Sequence, residues 1–175
     1  MRVRKGRNRI VFVFPYLGIV VKIPVMRLWK PLYYSYHDIM RGKWRSLKRD
    51  WSAPIEHEVY RGYIFLGILK NWREFWFYLK TKHQFLQPTY FSLFGLFNVQ
   101  KYGEECRLSA DIFWPQFIKI TNWQVFEDGH HFSNEKNFCL SKDKLHLVDY
   151  GSSKTQKIVL EYGQKFFEQV KLTED

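Results

Sequence analysis

The chain has 175 residues, of which 46% are hydrophobic and 19% aromatic, with 28 Lys and Arg against 17 Asp and Glu. This length and apolar content exclude a disordered tail and fit one compact domain or two small lobes sharing a cleft. A formal net charge of +11 suits either a polyanionic partner or a basic solvated surface. Cys106 and Cys139 lack metal-ligand spacing, which argues against a disulfide scaffold or zinc site and for reduced, buried thiols.

The N-terminal stretch to Arg9 is basic and Ile10–Val21 is apolar, superficially a secretory signal. Pro15 and Gly18 interrupt that apolar run, Lys22 and Pro24 follow it at once, and no small-x-small cleavage site appears. The reading is a β-hairpin in an intracellular, cytoplasmic protein with no transmembrane segment. Its strands are Ile10–Phe14 and Ile19–Ile23, joined by Pro15–Gly18, and Lys22 shares a face with Val20.

Residues 24–53 read as a connecting excursion in which the basic run Arg41–Arg49 is interleaved with Trp44 and followed by Trp51. Basic residues among aromatics suit a nucleic-acid backbone, and equally a surface loop pinned by its tryptophans. A helix is expected from Pro54, with Ser52 near the cap and Glu56 and Glu58 at its positive dipole end. Ile55, Val59, Tyr63, Leu66 and Leu69 recur at helical spacing, and the pattern runs on through Glu74 to Tyr78.

Gln87-Pro88-Thr89 breaks that helix, and Tyr90–Phe94 and Leu96–Gln100 read as two strands or one bent strand. The turn Tyr102–Glu105 marks a boundary between a first half, 1–103, and a second, 104–175. In the second half Ile112–Phe126 suggests a short helix around Pro115. Asn137–Leu140 and Lys144–Val148 form a hairpin across Ser141–Asp143, and a last helix covers about Thr155–Val170. His130 and His131, adjacent in an extended segment, would face opposite ways and make a poor metal pair.

In this order the sequence resembles the protein-kinase-like fold, including its small-molecule and bacterial or phage branches. Val20-Val-Lys-Ile23 is similar to the strand lysine motif, Asp149-Tyr-Gly151 to the metal-binding Asp-Phe-Gly, and Asn137 stands twelve residues before Asp149. The resemblance implies an α+β, minimal kinase-like fold with a small antiparallel sheet, a long helix and an abbreviated helical second lobe. It implies ATP and Mg²⁺ as cofactors, with Lys22 on the phosphates and Asn137 and Asp149 as oxygen ligands of the metal. Glu74 would orient Lys22, with Glu58 as the alternative.

In the family an Asp stands five residues before the metal-binding Asn, and here that position is Phe132. Either Asp128, in Asp128-Gly-His130, is the base on a lengthened loop, with His130 bracing that loop, or the base is absent and the chain is a pseudokinase. Gly18 stands alone, so no Gly-rich phosphate loop is visible. The runner-up function is a non-enzymatic basic module that binds nucleic acid or protein through the basic stretches ending at Arg9 and Arg49.

Overall fold

The computed structural model describes residues 1–57 and 59–172. Its first half is a five-stranded antiparallel sheet of β1 (Arg2–Lys5), β2 (Arg9–Phe14), β3 (Ile19–Pro24), β4 (Thr89–Ser92) and β5 (Asn98–Lys101), in the order β1-β2-β3-β5-β4. The β2–β3 hairpin forms as its β-branched runs dictate. Pro15 enters a single 3-10 turn, and Gly18 takes the left-handed conformation (φ 65°) that closes it. Val11, Lys22 and Asn98 fall opposite one another across β2, β3 and β5.

Against this sheet packs α3 (Tyr60–Thr81). Between β3 and α3 the chain forms α1 (Trp29–Met40) and α2 (Trp44–Ser52), so the expected excursion is helical. The helix expected from Pro54 begins instead at Tyr60, because Ser52 ends α2. Glu56 lies ahead of α3 and pairs with Arg73. Glu58 lies outside the described residues.

The second half opens with β6 (Glu104–Glu105), where a turn was expected, and β6 pairs with β7 (Phe138–Ser141), itself paired with β8 (Lys144–Leu147). The β7–β8 turn puts Lys142 and Asp143 at φ 52° and 56°, which a two-residue hairpin of the right twist requires. Helices α4 (Ala110–Thr121), α5 (Gly129–Phe132) and α6 (Ser153–Gln169) complete it. Phe85, Phe113, Phe117, Phe132, Phe138 and Phe166 form the centre of one buried cluster spanning Phe77 to Val170. Phe132, five residues before Asn137, is wholly buried against Phe117 and Phe166. Both cysteines are buried and unpaired.

Candidate functional site

Backbone pairing places Lys22 at the centre of the sheet, and α3 lays Asn71 and Glu74 over it. Asn71 Nδ2 donates to the Lys22 carbonyl (3.2 Å) and to the Gly95 carbonyl (3.0 Å), tying helix to sheet. Lys22 Nζ donates to Glu74 Oε2 at 2.9 Å and to the Val148 carbonyl, the residue before Asp149. Arg9 Nη1 pairs with Glu74 Oε1, and Arg9 Nη2 lies 2.7 Å from Asp149 Oδ1. Two cations and two carboxylates therefore balance in one buried cluster drawn from β2, β3, α3 and the turn after β8.

The charge states follow from this geometry. Burial pushes the Lys22 ammonium below its ordinary range, Glu74 pulls it back, and Arg9 lowers it further. Burial also works against the Asp149 carboxylate, but Arg9, Lys22 and Lys70 outweigh it and hold the group well below the usual carboxylate range. Asp149 keeps 26% of its side chain exposed. Its Oδ1 is buried and accepts no well-directed hydrogen bond, the nearby guanidinium serving as an ion pair only.

The turn Asp149-Tyr-Gly151 is fixed from both sides. Tyr150 is fully buried and its hydroxyl donates to the Gln87 carbonyl at 2.8 Å, with Thr89 Oγ1 at 2.6 Å. Gly151 passes so close to α3 that a Cβ there would stand 2.7 Å from the Lys70 carbonyl oxygen. Only glycine lets the turn approach the helix that carries Glu74.

These groups open onto a cleft of about 940 Å³ between the sheet and the second half. Lys22, Asn137 and Asp149 all line it, as do Arg9, Val11, Val13 and Val20 from the same face of the sheet. Arg4, Lys5, Arg7, Lys70, Lys101 and Lys136 make its wall strongly basic. A smaller depression of about 520 Å³ beside α6, lined by Phe77, Gln156 and Leu160 among others, gathers no comparable set of groups.

The structure brings Lys22, Glu74, Asn137 and Asp149 to this region and leaves Asp128 behind its wall. Asn137 Nδ2 donates to the His131 carbonyl at 3.0 Å, which leaves Oδ1 as the oxygen open to a cation. Asp128 is buried; one oxygen meets His131 Nδ1 at 2.8 Å and the other accepts from the Thr155 hydroxyl of α6. Burial raises the Asp128 carboxyl, but those two hydrogen bonds and the neighbouring imidazoles outweigh it and hold it below its ordinary value.

The histidines depart from expectation. On the helical turn α5 they lie side by side, ring centroids 4.1 Å apart, with both Nδ1 atoms near Asp128 Oδ1. His131, not His130, is the buried brace, while His130 stays largely exposed at the cleft. Burial lowers the His130 imidazole, and its neighbour His131 lowers it further. Asp128, His130 and His131 offer ligand atoms within 4.8 Å of one another, the one such trio of His, Cys, Asp or Glu among the described residues.

Two features escaped the sequence. Arg9 was read as part of a basic tail, yet it opens β2 with Val11 and Val13 at two-residue spacing on the cleft face, a period that was there to be read. The turn Gly6–Asn8 between β1 and β2, closed by Gly6 N donating to the Arg9 carbonyl at 2.8 Å, also lines the cleft. No sequence signal marks this turn, because β1 is exposed throughout and carries no apolar alternation. Among known proteins, no family model matches the chain and no curated protein matches its sequence.

Proposed function

We propose that the chain is a kinase-like nucleotide-binding protein that takes ATP with Mg²⁺ in the cleft between its sheet and its second half. The observation that carries this reading is the meeting of Lys22, Glu74 and Asp149, distant in sequence, in one charge-balanced cluster at the cleft. A triphosphate needs a fixed ammonium, and Glu74 fixes Lys22. A hard cation needs oxygen ligands, and Asp149 with Asn137 Oδ1, both lining the cleft, would provide them. Bound there, Mg²⁺ would neutralise phosphate charge. The basic rim favours the approach of the polyanion.

Transfer to an acceptor hydroxyl would require a proton acceptor facing the cleft. The exposed His130 and the buried His131 both line the cleft and Asp128 does not, so the acceptor role falls to this imidazole pair, and Asp128, 2.8 Å from His131 Nδ1 and 3.4 Å from His130 Nδ1, is assigned the role of positioning it. Mg-ATP at a hundred times its dissociation constant should stabilise the protein against thermal unfolding by about 2.7 kcal/mol. No stabilisation at saturating Mg-ATP would overturn the reading. Asp128→Asn should keep that stabilisation while lowering any phosphoryl transfer by roughly 10²–10⁴-fold.

A further inference from the structure

The helix α1 is built inside out. Its inward face carries Pro31, Ser35 and Asp38, with Ser35 Oγ accepting from Trp51 Nε1 (2.9 Å) and Asp38 Oδ2 from the Tyr60 hydroxyl (2.7 Å). Tyr34 stacks on Tyr63 of α3. Its outward face carries Trp29, Leu32, Tyr33, Tyr36 and Met40, at i, i+3, i+4, i+7 and i+11 on one side of the helix. These five side chains are between 57% and 84% exposed. An ordinary surface helix has the opposite arrangement, so this stripe is built to face something apolar.

Its surroundings say what. Arg41 and Lys43 in the turn after α1, and Arg45 and Lys48 on α2, are exposed and have no ion-pair partner among the described residues. Trp44, 61% exposed, stands among them. The carboxylates of this segment are engaged, Asp38 by Tyr60 and Asp50 by Arg49. A second copy would set this cationic rim against itself. Nucleic acid would meet the cations and an exposed aromatic or two, but would leave Leu32 and Met40 unused. No described helix is long and apolar enough to cross a membrane. We infer that the α1–α2 hairpin lies on an anionic lipid bilayer, with Trp29, Leu32, Tyr33, Tyr36 and Met40 in the interface and Arg41, Lys43, Arg45 and Lys48 at the headgroups. None of the residues lining the cleft comes from α1 or α2, so this surface stands independently of the nucleotide reading.

The test is co-flotation of the full chain with vesicles of phosphatidylcholine alone or mixed with phosphatidylglycerol, with tryptophan emission as a second readout. The protein should float with the anionic vesicles, its emission shifting to the blue, and remain free of the neutral ones. Joint replacement of Trp29, Tyr36 and Met40 by Ser should weaken binding on the order of a hundredfold. Replacing Arg41, Lys43, Arg45 and Lys48 by Gln should abolish the preference for anionic lipid. Because all seven side chains are exposed, the thermal midpoint in the absence of vesicles should stay unchanged. Absence of vesicle binding overturns the inference, as does vesicle binding unaffected by the apolar replacements. So does self-association or RNA or DNA binding that the apolar replacements abolish.

Discussion

The two halves of the molecule are held together by different physics. The second half closes on phenylalanine: Phe113, Phe117, Phe132 and Phe166, joined by Phe85 from the first half, are buried to 1% exposure or less. Between the first-half sheet and α3 lie Arg9, Lys22, Asn71, Glu74 and Asn98, all buried and polar or charged. Apolar packing is indifferent to pH and ligand, whereas a buried ionic cluster is stable only while its charges match. A site that must exchange internal partners for a charged ligand belongs in the second kind of interior. The cleft lies where the two meet.

Several replacements would break or sharpen this contrast. The largest losses should come from Phe117→Ala and Glu74→Ala, each about 3–5 kcal/mol in denaturant unfolding, but by different routes. Phe117→Ala leaves a cavity among rings as close as 4.5 Å. Glu74→Ala removes the carboxylate shared by two buried cations, leaving Arg9 with Asp149 alone and Lys22 with no ion pair. If Glu74→Ala were nearly neutral, the ionic account of the first half would fail.

Asn71→Ala should cost less, about 1–3 kcal/mol, by leaving the Lys22 and Gly95 carbonyls without their donor. The pH dependence should be gentler again. Asp149 and Asp128 are both held below their ordinary values in the folded chain. Their contribution is therefore present above the unfolded carboxylate value of about 3.9, and is lost as pH falls from there through the folded values. In acid titrations of stability, Asp149→Asn should flatten that decline, while Phe117→Ala should lower the whole curve without changing its shape.

Much of this architecture was legible because alternation and turn chemistry act locally. The hairpins Ile10–Ile23 and Asn137–Val148, the terminal helix and the strands flanking Phe94 all follow from such signals. Lys22, Glu74 and Asp149 were legible from order along the chain. What escaped depended on tertiary context. All of β1, Arg2–Lys5, is exposed, so no apolar alternation betrays it. The helices α1 and α2 lie where the sequence suggests a connecting excursion, because Pro24 and Pro31 read as breaks, although Pro31 sits in the first turn, where a helix tolerates it. The choice between His130 and His131 turned on a helical turn that adjacent residues cannot announce. Asp128, the candidate base by motif, is turned toward Thr155 by the docking of α6, a contact 27 residues away in sequence.

The central claim is that Asp149 and Lys22 make the cleft a site for a nucleotide with its metal. Calorimetric titration of ATP, with and without Mg²⁺, into the wild type, Asp149→Asn and Lys22→Met tests it most directly. The account predicts binding by the wild type that is strengthened by Mg²⁺, loss of the Mg²⁺ effect in Asp149→Asn, and weakened binding under both conditions in Lys22→Met. Wild-type protein that binds no ATP, or binds it with an affinity that neither Mg²⁺ nor either replacement alters, would contradict it.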